Sequence, residues 1–174
     1  MKKEIMAKEK SISIILDSYD DMFSDFDPRP TPLRALSDDF LMECKKASVD
    51  KENKIHLVFS IPRERRNSSE ESKIKKRLKE HFNKHFLLKQ KEIKKIKTRG
   101  LFWFFSGAII MVLASLLPRY EGFIFELLKT MAEPASWFFF WEGLGKIFIE
   151  VKSKSPNYNF YRKMTDAEIS FIDD

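Results

Sequence analysis

Three groups of side chains in this sequence have the types and spacing to do chemistry. Glu126, Lys129, Thr130 and Glu133 recur at i, i+3, i+4 and i+7, which places them on one side of a helix. They stand inside an apolar stretch, where ionisable groups face protein or water and often mark ion paths. One hairpin cannot enclose a pore, but an oligomer could line one with Glu126, Lys129 and Glu133. The plainer reading pairs Glu126 with Lys129 and Lys129 with Glu133, or seats them among outer headgroups. It is preferred because each charge has an opposite-sign neighbour. The second group is Asp17, Asp20, Asp21, Asp25 and Asp27. It lacks the glycine and the terminal glutamate of a calcium loop, so a solvated helix face with caps is preferred to a metal site. The third is His81 and His85, spaced as metal ligands on a helix can be. No Glu or Cys completes a zinc motif beside them, and surface or interfacial histidines are the preferred reading.

No phosphate-binding glycine loop, nucleophile elbow, metal quartet or redox pair occurs in the sequence. Cys44 is the single cysteine, so no intrachain disulfide can form. No catalytic residue, cofactor or metal is assigned, and the chain is read as non-enzymatic.

The elements that position these groups begin with the run Leu101–Leu117, seventeen residues without a charge. A hydrocarbon core needs about 17–25 apolar residues in a helix, so this is a short membrane span. A second region, 123–141, is apolar but carries the charged stripe. Folding the pair about Tyr120 sets Glu133 opposite Gly107, Ala132 opposite Ala108 and Trp137 opposite Trp103. Small residues there allow close helix approach. Continued inward, Leu144 meets Ile96 and Ile147 meets Ile93. Leu144, Ile147, Phe148 and Val151 then form a stripe against the preceding helix, with a Glu142–Lys146–Glu150 ladder on the other side. The alternative placement lays 120–133 on the outer surface and opens the span at Pro134. It would put Glu142 and Lys146 inside the bilayer, which is costly.

The net charge of +6 is unevenly spread. Lys73–Arg99 holds twelve Lys/Arg against two Glu, whereas Ser11–Glu52 holds five against ten Asp/Glu. A basic chain suggests nucleic acid, but this block runs straight into the apolar run. A positive-inside anchor is therefore the better reading, with Lys94, Lys95, Lys97 and Arg99 as anionic-lipid contacts and no specific nucleic acid expected. Lys152, Lys154, Arg162 and Lys163 follow the second region, so both termini are expected to be cytoplasmic. Met1–Lys10 lacks the apolar core of a signal peptide, so Leu101–Leu117 is expected to insert first.

Within the basic block, Ile74, Leu78, Phe82 and Phe86 recur every four residues, and Ile93 and Ile96 continue the stripe. One helix from about Glu70 to Leu117, capped by Ser68 or Ser69, is expected. Upstream, Ser11–Leu16 and Lys54–Ile61 alternate as half-buried strands, with Ile12, Ile14 and Leu16 on one face and Ile55, Leu57, Phe59 and Ile61 on the other strand's face. Between them a helix over 18–26 is predicted from Tyr19, Met22, Phe23 and Phe26, with Ser18 and Asp21 as its capping box. Asp27-Pro-Arg-Pro30 then forms a turn. A second helix starts at Ser37, stapled by Leu36 and Leu41, with Phe40, Leu41, Cys44 and Ala47 inward. The order β-α-α-β favours parallel pairing. Two strands alone are marginal. Residues 167–172 are the candidate third strand, although Thr165-x-x-Glu168 would also cap a helix.

The expected class is α+β. It has a small β-α-α-β cytoplasmic domain over 1–66, a basic juxtamembrane stalk helix over 67–99, a transmembrane hairpin over 100–151 with spans near 101–118 and 123–141, and a cytoplasmic tail over 152–174. The expected function is a membrane-anchored interaction or scaffold module that meets anionic headgroups and either self-associates or binds a protein partner. The alternative is a homo-oligomeric ion channel or pore-forming effector gated by the cytoplasmic domain.

Overall fold

A computed structural model of the chain describes residues 11–30, 33–51, 55–116 and 122–174. The chain is α+β and divides into two compact units. The first joins residues up to Leu87 with Tyr158–Asp174, and the second is Leu88–Asn157.

The first unit is built on a three-stranded parallel sheet of β1 (Ser11–Ile15), β2 (His56–Ile61) and β3 (Glu168–Asp173), in the order β1-β2-β3. The register sets Ile12 beside Leu57 and Leu57 beside Ile169, then Ile14 beside Phe59 and Phe59 beside Phe171. Strand side chains alternate with period two, so these rows share one face. That face joins a single core cluster with α1 (Asp38–Ser48), the start of α2 (Ser68–Leu116) and the end of α4 (Val151–Thr165). Phe59 lies between Phe40 and Phe171, with ring centroids 5.8 and 5.3 Å apart, and Phe82 meets Phe160 edge-on. Burying side chains of this size stabilises by about 1.5–3 kcal/mol each. Ile74, Leu78 and Phe82 of the four-residue stripe are all in the core. Val58 and Ser60 are buried as well, because β2 is central and has a strand on each edge.

The C-terminal segment is a strand, and the rival capping box does not form. The Thr165 hydroxyl instead donates to the Tyr161 carbonyl at the end of α4, and the Glu168 amide donates to Ile55 as β3 joins the sheet.

Four local expectations need correction. The helix predicted over 18–26 is only a 3-10 turn, Tyr19–Met22. Its capping box is present, but the backbone then leaves the helix: the Ser24 amide donates to Ala35, the Ser37 amide donates to Met22, and Phe23 bridges Leu36. These partners replace helical ones, and Phe26 is left 98% exposed. On α1, Ser48 is buried where Ala47 was expected. Ser37 precedes the helix without a side-chain cap bond. On α2 the cap is Asn67 rather than a serine, since its Oδ1 accepts from the Ser69 and Glu70 amides.

The second unit contains α2 from Leu88 onward, α3 (Phe123–Leu144), a π-helical turn (Gly145–Glu150) and the start of α4. The expected fold point, Tyr120, lies outside the described residues. Gly122 opens α3 at φ +133°, a conformation that favours glycine. The helices pack in a different register from the one expected. A Cβ on Gly107 would meet the Ser136 carbonyl and the Phe140 amide, each at 2.7 Å. One on Gly143 would meet the Phe104 amide at 2.5 Å and the Gly100 carbonyl at 2.7 Å. Trp103 stacks near Phe139 at 5.0 Å, in place of Trp137. The hairpin is centred two to three residues beyond Tyr120, because the three glycines, and not the Gly107–Glu133 pairing, let the backbones meet. Ile147 consequently packs on Gly100, where Ile93 was expected, and Phe148 is 67% exposed where a buried stripe residue was expected.

α2 is the one described helix long and apolar enough to cross a membrane, and only 17% of its apolar window is buried. A core helix of a soluble protein would be mostly covered. α3 has 22 residues, about 33 Å of helix. Every eighteen-residue window within it carries at least three charged side chains.

Candidate functional site

The charged stripe is divided by the helix packing. Lys129 and Glu133 line a cleft of about 300 Å³ with Met111, Ala114, Ser115, Ser136 and Trp137. Glu126 and Thr130 stay outside it, and the Thr130 hydroxyl donates to the Glu126 carbonyl, a bond that turns it back on its own helix. The two expected ion pairs are not formed: among the described residues no salt bridge reaches Glu126, Lys129 or Glu133. Ser136, buried in the cleft wall, donates to the Glu133 carbonyl. Ser115 and Ser136 escaped the sequence reading because the register, five places away from the expected pairing, decides what stands opposite Lys129.

The second cleft, of about 240 Å³, is cationic. Glu92, Lys95, Ile96 and Arg99 line one side of it at i, i+3, i+4 and i+7 of α2, and Lys146, Glu150 and Lys154 line the other. The Glu142–Lys146–Glu150 ladder does form, at 2.8 and 3.8 Å, but Lys146 and Glu150 turn toward α2 instead of away from it. The cause is the π turn. Its wider winding inserts extra chain, so the residues after it present a different side from that of a continued α-helix. Periodicity gives no warning of such a turn; the pair Gly143 and Gly145 just before and at its start is the only compositional sign. Lys154 reaches Glu92 at 3.4 Å, and Lys89 reaches it at 2.9 Å. These two ammonium groups, the bond from Lys89 above all, hold the Glu92 carboxyl below its usual range. The Glu142 carboxylate chiefly raises Lys146, while burial and the like charge of Arg99 oppose it. Lys95 and Arg99 have no hydrogen-bonding or ionic partner among the described residues. Lys94 and Lys97 are exposed and lie outside the cleft, so the four predicted lipid contacts separate into two inside and two outside.

The acidic group of the first unit is engaged locally. Asp21 accepts from the Asp17 and Ser18 amides, Asp20 and Asp25 pair with Arg34, and Asp27 accepts from Arg29 and from the Ala35 amide. Among the described residues no three His, Cys, Asp or Glu side chains stand together as metal ligands would. His81 and His85 stack at 4.3 Å, and His85 stacks on Tyr161 of α4 at 5.1 Å, which makes them interfacial histidines. Burial, aided by the positive charge of His85, Arg77 and Lys84, lowers His81 to about 4, and its Nε2 is buried without a partner. Burial pushes the Cys44 thiol up to about 12, so it is not a ready nucleophile.

One polar network ties the ends of the sheet unit together. Arg66 bonds Glu71 at 2.8 Å and Asp173 at 2.6 Å, the Tyr19 hydroxyl donates to Glu71, and the Asn67 amide donates to that hydroxyl. Glu71 is 6% exposed, and the bond from Arg66 leads in lowering its carboxyl despite burial. No protein-family model, curated protein or solved structure matches this chain, so its functional reading rests on these residues.

Proposed function

We propose that this chain is a two-span integral membrane protein that carries a small α/β module on the cytoplasmic side and serves as a non-enzymatic interaction or scaffold module. The observation that supports it most is the outward surface of the helical pair. Phe102, Phe105, Ile109 and Val112 of α2, and Phe123, Phe138 and Trp141 of α3, are each more than half exposed. Water tolerates such a continuous apolar surface poorly, whereas lipid satisfies it. The cleft that Lys129 and Glu133 share supports a second span, because it sets these two charges of α3 beside the hydroxyls of Ser115 and Ser136. The excess of Lys and Arg before α2 and after α3 supports cytoplasmic termini. A partner protein or a second copy completes the function.

The test is membrane extraction followed by cysteine labelling in a Cys44→Ala background. The chain should remain in the membrane after alkaline carbonate. Glu121→Cys should label from outside, and Lys10→Cys and Asp174→Cys should not. Labelling of either terminus from outside would sink the orientation.

The channel reading has one observation in its favour: Lys129 and Glu133 share a cleft without pairing, as groups awaiting water or a neighbouring copy would. The mass of the detergent-solubilised complex separates the readings, since a monomer excludes the pore.

A further inference from the structure

We infer that the cleft between α2 and the π turn is a binding site for the phosphate of an anionic phospholipid, held by Lys95, Arg99, Lys146 and Lys154. The inference rests on the membrane reading above and replaces a diffuse basic surface with one site. Four cations line the cleft against two carboxylates, Glu92 and Glu150. From outside the lining Glu142 holds Lys146 at 2.8 Å and Lys89 shares Glu92, so five cations meet three carboxylates and two positive charges remain uncompensated. Glu92 is already shared by Lys89 and Lys154, and Glu150 touches Lys146 only at 3.8 Å. Lys95 and Arg99 have no partner of their own among the described residues, and Arg99 stands near enough to Lys146 for their like charges to repel. A phosphate between them removes that repulsion and meets the planar donor fork of Arg99, which suits two oxygens at once. The 240 Å³ of space compares with roughly 30 Å³ for one water in the liquid, so a phosphate fits with water around it.

The surroundings select a lipid over a free phosphate. Arg99 is followed at once by Gly100 and the apolar run. Leu101 and Phe102 beside it are 47% and 68% exposed, and Phe148 and Ile149 of the π turn are 67% and 73% exposed next to Lys146. Charged donors bordered by bare aromatic and aliphatic side chains match a headgroup with acyl chains attached, and a free ion gains nothing from the apolar part.

The experiment uses the full chain in phosphatidylcholine nanodiscs doped with phosphatidylglycerol, with retained lipid read by native mass spectrometry. The parent should retain phosphatidylglycerol in preference to phosphatidylcholine. The double variant Lys95→Gln with Arg99→Gln should lose about tenfold of that retention, as expected when charge-assisted bonds are removed. Lys94→Gln with Lys97→Gln removes the same charge from the same helix outside the cleft and should stay near the parent. Neither pair strands a partner, so both should fold. Lys154→Gln, after which Glu92 keeps Lys89, should behave like the first pair. Equal loss in the two double variants would overturn the site in favour of diffuse attraction. Displacement of the lipid by excess inorganic phosphate would overturn the lipid as ligand. A parent that enters nanodiscs yet shows no lipid preference defeats the site alone, whereas a parent that never enters them defeats the membrane reading beneath it.

Discussion

His81 stands between two demands. Its ring packs on His85 and edge-on to Phe82, yet its Nε2 is buried without a partner and faces positive charge from His85, Arg77 and Lys84. In the unfolded chain it takes up a proton near pH 6.5. In the folded chain burial delays that to about 4. The unfolded state therefore binds more protons between those values, and stability falls as pH drops through that window. Glu71 has the same sign by a different route: its carboxyl is lowered, so its contribution is present above the ordinary carboxylate value and is lost on acidification below it. Thermal unfolding of the detergent-solubilised chain separates the two. His81→Phe keeps the ring stacking and removes the proton site. Its midpoint should match the parent at pH 7 and fall less than the parent's between pH 6.5 and pH 4.5. Parallel curves would mean that His81 titrates normally. The spacing of His81 and His85 was legible in the sequence. Their stacking partner was not, because Tyr161 arrives from the other end of the chain.

At the level of elements, strands were easier to read than helix packing. Alternation carries its own register, so Leu57, Phe59 and Ile61 mark the core face of β2 by sequence alone, although the strand is not half-buried as expected, since Val58 and Ser60 on its other face are buried too. The short region 18–26 misled because four apolar residues at helical spacing say nothing of the backbone partners at Ala35 and Met22 that end the turn. Hairpin register is set by which small residues allow contact, and here Gly100, Gly107 and Gly143 set it. Two glycine substitutions two residues apart test this. Gly143→Ala puts a methyl 2.5 Å from the Phe104 amide and 2.7 Å from the Gly100 carbonyl, and backbone atoms cannot swing aside. The helices must part, at a cost of about 1–3 kcal/mol by the usual scale of overpacking. A Cβ on Gly145 meets nothing within 4 Å, so Gly145→Ala should leave the midpoint unchanged or raised. Equal effects from the two would show that the helices do not approach through Gly143.

In the whole molecule, the sheet unit is assembled from both ends of the chain and the helical unit is one uninterrupted segment between them. The sequence showed two strands and offered a third, but not that β3 pairs with β2, because parallel pairing across so long a connection leaves no local trace. This arrangement predicts an asymmetric response to truncation. Ending the chain at Asp166 removes β3, and with it Ala167, Ile169 and Phe171 from the core and Asp173 from Arg66. Phe59 loses its ring partner Phe171, the Glu168–Ile55 hydrogen bond disappears, and β2 becomes an edge with unpaired donors and acceptors. Two strands do not hold a sheet against the entropy of ordering them. The helical unit keeps all of its own contacts: the glycine packing, the aromatic pairs Trp103–Phe139 and Phe104–Phe140, and the Glu142–Lys146 bridge. Hydrogen exchange on the truncated chain in detergent should therefore show β1, β2 and α1 exchanging at unprotected rates, while amides of 100–116 and 123–144 stay protected as in the parent. Retained protection of β1 and β2 would mean that the third strand is dispensable. Loss of protection in 100–116 together with the sheet would mean that the two units fold as one.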